Sequence, residues 1–328
     1  MVATRMLSVL ICISLHVATL ALLALRHEQL LSAQGLQPRT MSRIHATSIK
    51  AIGILACGSA LVLPYQFTHI DELSQCGLRV VCFFYGLKAL ELALCRSETP
   101  PRLILAGTAS IAKYMWLLLA EMRYHSFDIA VEQKARPPNP EQTSPITGSV
   151  VAAICVGVVN YMLPLAELKC LFLLLLLQVA FEGLHAAVHP SCNHPLFYRP
   201  FSASSMGTFW STHWHACAGL FLYSLGYEPG RWLAGRWLGV LNTFNLSGLW
   251  HGWAAASLVD DSHGVVLGGQ VWGLFMLFGV VCLAERVVWG DKQGGFIQRV
   301  VVWTIPVVAA GQIFRTLERY TSIQWLRR

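Results

Sequence analysis

Long apolar runs separated by short polar connections occupy almost the whole chain. "LSVLICISLHVATLALLAL" (Leu7–Leu25) and "LKCLFLLLLLQVAFEGLHAAV" (Leu168–Val188) are the clearest, and similar runs begin near Ala51, Gly77, Arg102, Ile146, Trp237, Val265 and Phe296. Each can cross the roughly 30 Å of a bilayer's hydrocarbon as a helix of ~20 residues. None shows the strict alternation of a barrel strand, so the spans are expected to be helices. The pattern predicts an all-α, polytopic transmembrane bundle of roughly eight to ten spans. No internal repeat and no dividing linker is visible, so residues 1–328 are read as one domain.

Two polar connections interrupt the runs. "EMRYHSFDIAVEQKARPPNPEQTSP" (Glu121–Pro145) ends in a proline-rich stretch and reads as a loop. The second, His189–His215, carries three prolines, then "SASS", then aromatic residues and histidines. A helix beginning near Ser204 or Ser205 would gather Phe209, Trp210, His213 and Trp214 on one face by three- and four-residue spacing. Trp and His together favour the membrane–water boundary, so an interfacial or re-entrant helix is expected here.

Composition agrees with the pattern. Of the 328 residues, 55% are hydrophobic and only 12% charged, against about 25% charged in soluble domains. The net charge of +7 suits loops lying against anionic lipid. No basic block or aromatic platform points to nucleic acid. The ten cysteines form no CxxC pair and read as packing residues. Arg5 precedes the first run, and Arg26, His27, Arg39 and Arg43 follow it. That run is expected to be a retained anchor with Arg26–Lys50 on the cytoplasmic side. Within the spans, Lys88 and Glu91 lie one turn apart and are expected to neutralise each other. Glu182, His185 and His189 form a polar stripe at the end of another run.

Seven of the twelve histidines fall between His185 and His263. Two chemistries fit such a concentration. His185 and His189, at i, i+4, with His213, His215 and His251, could ligate iron in a histidine-box oxygenase. That reading lacks the HxxHH clusters it needs, and Glu182 is the one carboxylate nearby. The alternative is general-base catalysis of acyl transfer. His251 lies in "LNTFNLSGLWHGWAAASL" (Leu241–Leu258), and a neutral imidazole of unperturbed pKa ~6.5 suits proton removal from an alcohol. Ser247, one turn earlier, could orient the ring, and Asn245 or Asn242 could donate to a developing oxyanion. A transporter would also account for the spans, for Lys113 and for the Glu182–His189 stripe. Inverted repeats would favour that reading, and none is seen.

"HPLFYRPFSASSMGTFWSTHWH", followed by "NLSGLWHGW", resembles the wax-synthase-like family, which belongs with the membrane-bound O-acyltransferases. The residues carrying the resemblance are Pro195, Phe197, Pro200, Ser204, Phe209, Trp210, Trp214, His215, Ser247, Gly248 and His251, within a motif region taken as 189–257. The resemblance implies a helical reaction chamber and acyl-CoA as co-substrate, with no bound cofactor and no metal. It makes His251 the general base and His215 a second catalytic candidate, with Asn245 and Ser247 in support. Trp210, Trp214 and Arg199 would bind substrate, with Arg231 and Arg236 as further partners for coenzyme A phosphates. The fungal branch of the family implies acetyl transfer from acetyl-CoA to a hydroxyl of a lipophilic terpenoid or meroterpenoid, a secondary metabolite. Long-chain wax ester synthesis is the alternative within the family. The expected location is the endoplasmic reticulum membrane.

Overall fold

The computed structural model describes residues 13–14, 16–26, 28–29, 39–67, 70–104, 110–122, 124, 126–129, 145–162, 165–188, 196–197, 202–214, 218–290 and 295–322. Among them the regular structure is helical, apart from one isolated antiparallel bridge between Leu103 and Phe127. Four helical segments are long and apolar enough to cross a membrane: Ala46–Gln66, Ala166–Ala187, Asp261–Trp289 and Phe296–Tyr320. His16–Arg26, Ile111–Ala120 and Val150–Val159 are shorter apolar helices. The all-α polytopic architecture read from the pattern is therefore the one observed. Only 28% of the most apolar window of Asp261–Trp289 is buried inside the protein. Val265, Val266, Val280, Val287 and Val288 point outwards, an arrangement that lipid tolerates and water does not.

The chain forms two compact units, Met1–Val131 and Glu132–Arg328. The first contains α1 (His16–Arg26), α2 (Arg39–Val62), a 3-10 turn (Leu63–Gln66), α3 (Glu72–Cys95) and α4 (Ile111–Ala120). The stretch Arg39–Lys50, expected in a connection, is already helical. Asp71 caps α3 by accepting the Ser74 N–H at 2.9 Å. The run starting near Arg102 is not one span. Residues 102–104 are extended and pair with 126–128 through Ile104 N–H to Ser126 O and Asp128 N–H to Arg102 O, both 2.8 Å. The helix starts only where Ser110 accepts the Lys113 N–H. Hydropathy could not show this, because the competing bonds come from residues some 20 positions away.

Glu91 acts on Lys88 through its charge, as expected, and each of the two also has other direct contacts. Lys88 is buried, and its ammonium donates to the carbonyls of Leu119 (3.0 Å) and Glu121 (2.6 Å), with the Tyr124 ring at 4.6 Å. Glu91 accepts from Arg96 at 3.0 Å. Tyr124 reaches Lys88 from a left-handed backbone conformation, φ 54°.

The second unit contains α5 (Pro145–Met162), α6 (Ala166–Val188), a short α7 (Met206–Thr208), a π-turn (Phe209–His213), α8 (Gly219–Phe221), a second π-turn (Leu222–Tyr227), α9 (Glu228–Ala255), α10 (Asp261–Trp289) and α11 (Phe296–Tyr320). The start of α6 is tied to the end of α11 by Lys169–Glu318 and Glu167–Arg315 ion pairs. Helix α9 is kinked at Ala234–Gly235, where Gly235 takes φ +75°. Beyond the kink, α9 and α10 approach closely. A Cβ on Gly252 would lie 2.5 Å from the Gly268 carbonyl oxygen, and one on Gly268 would lie 2.8 Å from that of Gly252. Gly248-xxx-Gly252 and Gly264-xxx-Gly268 thus form facing small-residue strips of the kind that let membrane helices touch. This contact sets His251 beside α10.

Candidate active site

His251 projects from the last turns of α9 and stacks on Phe275 of α10, with ring centroids 4.4 Å apart at 26°. Trp250 lies at 5.0 Å on another side. The imidazole Nδ1 is 2.8 Å from the Ser247 carbonyl oxygen. A carbonyl only accepts, so Nδ1 carries the proton and Nε2 holds the lone pair. The sequence suggested the Ser247 hydroxyl for this contact, whereas the bond is made to the Ser247 backbone carbonyl. Its own side chain is buried.

The two asparagines are both engaged. Asn242 donates its amide to the Gly226 carbonyl at 2.8 Å, fastening the second π-turn to α9. Asn245 accepts from the indole N–H of Trp272 at 2.9 Å. By helix geometry Asn245 lies about 120° around α9 from His251, on the side meeting Trp272.

The aromatic motif begins where the sequence placed it. Ser205 caps α7: its hydroxyl accepts the Thr208 N–H at 3.0 Å, while the Thr208 hydroxyl accepts the Ser205 N–H at 3.2 Å. The helix then widens into a π-turn, with Trp214 N–H reaching Phe209 O at 2.8 Å. This changes the expected register. Phe209 and Trp214, five apart, stack at 5.4 Å and 15°, a pairing that α-helical spacing would not give.

The rings form a connected series towards the histidine. Phe197 meets Trp214 at 4.8 Å, Trp214 stacks on Phe209, and Phe209 meets Trp210 at 5.2 Å. Trp210 lies 5.7 Å from Phe275, which carries His251 on its face. Met206, Phe244, Phe275 and Phe278 form the buried core beneath them, and Trp210 packs against it. The Trp210 indole nitrogen is buried with no hydrogen-bond partner among the described residues. An orphaned buried donor is uncommon and marks a place where a ligand or water atom fits.

His215, Arg199, His189 and Cys217 lie outside the described residues. Arg231 is exposed and pairs with Glu228 at 3.2 Å, and Arg236 is exposed near the α9 kink. Both remain at the outer part of α9, where a phosphate could be met without burial. Among the described residues no three His, Cys, Asp or Glu side chains converge as a metal site. An apolar groove of about 490 Å³ lies between α5 and α6, lined by Val150, Ile154, Gly157, Phe172, Leu176 and Val179 among others.

Residues 193–277 match the membrane bound O-acyl transferase family. The match spans the proline-containing loop, α7 to α9 and the first half of α10, and so contains His251, Phe275 and the whole aromatic series. It supports membrane-bound O-acyl transfer at the level of the family. No curated protein and no solved structure shows significant similarity to the chain.

Sequence reasoning missed three contributors. Phe275 carried no motif signal. The facing glycine strips were legible as small-xxx-small patterns. Two buried carboxylates were also legible as ionisable groups in apolar runs: Glu285 was not singled out, and Glu182 was seen without its partner.

Proposed function

We propose that this protein is an acyl-CoA-dependent O-acyltransferase with His251 as its general base. The observation that carries the reading is the Nδ1–H bond from His251 to the Ser247 carbonyl, within the segment that matches the family. It presents Nε2 as the basic nitrogen. In the reaction Nε2 takes the proton of an acceptor alcohol as its oxygen attacks the thioester carbonyl carbon. The tetrahedral intermediate collapses with cleavage of the C–S bond. The imidazolium returns its proton to the departing coenzyme A thiolate. The unpartnered Trp210 N–H is a candidate donor to the carbonyl oxygen as its charge develops. Arg199, with Arg231 and Arg236, would meet the donor's phosphates, and Trp214 would line the acceptor's path. His215 is a second candidate acid–base group. No metal and no covalent acyl-enzyme is needed.

The donor we favour is acetyl-CoA and the acceptor a hydroxylated, polycyclic terpenoid or meroterpenoid reaching the site from the bilayer. The endoplasmic reticulum is the proposed location. This choice rests on the wax-synthase-like motif. The test incubates membranes containing the protein with acyl-CoAs of increasing length and a panel of alcohols, with esters read by mass spectrometry. The expected result is acetyl transfer to a rigid alcohol that survives exhaustive chelation, with the rate falling steeply as the donor lengthens. Palmitoyl transfer to straight-chain alcohols with little acetyl transfer would make it a wax ester synthase. Loss of activity on chelation, with stoichiometric iron bound, would restore the oxygenase reading.

A further inference from the structure

Phe197, Met206, Phe209, Trp210 and Trp214 follow α6 in the chain, the first two outside or at the very start of regular structure. Backbone amides before a helix and in its first turn need acceptors from elsewhere. Two buried carboxylates supply them. Glu182, on α6 and 5% exposed, accepts the Phe197 N–H at 2.7 Å. Glu285, near the end of α10 and also 5% exposed, accepts the Met206 N–H at 2.9 Å through Oε1 and the Gly207 N–H at 3.2 Å through Oε2. With Ser205 taking the Thr208 N–H, the three leading amides of α7 all have acceptors. A carboxylate is the strongest such acceptor, since N–H bonds to an ionised oxygen are about twice as strong as neutral ones.

Each carboxylate holds a residue at one end of the ring series. Phe197 packs on Trp214, and Met206 sits under Phe209 and Trp210 in the core that includes Phe275. We infer that Glu182 and Glu285 are positioning residues: a two-point clamp that fixes the aromatic motif against α6 and α10, and through Phe275 fixes the seat of His251. The catalytic half of the inference rests on the acyl-transfer reading above, whereas the clamp itself can be read without it.

A glutamine at either site keeps one acceptor oxygen for the backbone amide but gives up the carboxylate's charge, and at 285 it also turns an amide donor towards a backbone N–H. Each Gln variant should therefore lie between the wild type and the Ala variant at the same site. Both alanine variants should raise amide hydrogen exchange across 196–214 while leaving α11 unchanged. In these variants kcat should fall by up to ~10²-fold, the loss expected from an ångström-scale misplacement of catalytic groups, with KM changed much less. The experiment measures hydrogen exchange by mass spectrometry and steady-state kinetics on the four variants of the full chain. Exchange across 196–214 equal to wild type in both alanine variants would overturn the clamp. So would equal loss in the Gln and Ala variants at each site, which would signal a general folding role. If the wild type forms no ester, the acyl-transfer reading fails, and the exchange pattern still decides the clamp.

Discussion

Lys88 in the first unit and His251 in the second are both polar groups enclosed by apolar surroundings, and they differ in what their nitrogens can do. Lys88 directs its ammonium at two carbonyls and an aromatic face. Every direction in which it can donate is occupied, and it has no acceptor. It holds the 119–124 backbone to α3. His251 gives its Nδ1 proton to the Ser247 carbonyl, which makes Nε2 the accepting nitrogen of the ring. A buried ammonium can only donate, and here it serves the backbone. An imidazole in this tautomer can also accept a proton, which is what the proposed acyl transfer asks of it.

Substitution should separate the two groups. His251→Ala should reduce acyl transfer by ~10²–10⁴-fold, the usual contribution of a general base, with little change in thermal stability in detergent. Lys88→Met should do the reverse. It leaves two carbonyls without their donor, at about 1–3 kcal/mol for each group left buried and unsatisfied. The melting temperature should drop while the rate per folded molecule holds. A Lys88→Met protein that is stable but inactive would erase the distinction.

The smaller effects sharpen it. Ser247→Ala should change kcat by less than about threefold, because the backbone carbonyl, not the hydroxyl, orients the ring, and that bond is untouched by truncation. A loss comparable to that of His251→Ala would return the orienting role to the hydroxyl. The smallest effect belongs to an exposed group at the start of α10. Asp260 caps that helix through the His263 N–H at 3.1 Å, and bonds from the Ser262 hydroxyl and His263 hold its carboxyl down to about 2 from an ordinary 3.8. A depressed carboxyl pKa contributes stability that is complete above the unfolded value and is lost as pH falls through the folded value. Acid unfolding should therefore show this contribution fading below pH 3.8 towards pH 2, with Asp260→Asn removing that pH dependence and leaving neutral-pH activity intact.

Much of this was legible in the sequence. The apolar runs foretold most of the helices because hydropathy and length alone decide whether a helix can sit in lipid. The Arg102 run misled because its pairing partner is the 126–128 strand segment, which no local pattern announces. The Ser205 helix start was visible in "SSMGT", since serine caps are local. The π-turn that stacks Phe209 on Trp214 was not visible, because the choice between four- and five-residue bonding is made by tertiary packing. His251 stood out as an imidazole in an apolar run. Its tautomer did not, because a backbone carbonyl leaves no trace in residue identity. Glu182 and Glu285 were readable as costly intramembrane carboxylates, and their use as backbone acceptors needed the placement of Phe197 and of the start of α7.

The central claim is that the His251 lone pair carries acyl transfer. The most direct measurement is ester formation per folded molecule by wild type and His251→Gln, side by side, with acetyl-CoA and the polycyclic alcohol best used by the wild type. Glutamine keeps polarity and similar bulk but offers no useful base. The account predicts ester from the wild type and a yield at least ~10²-fold lower from His251→Gln, at equal amounts of folded protein. Comparable turnover by the two proteins would contradict it and remove His251 from the mechanism.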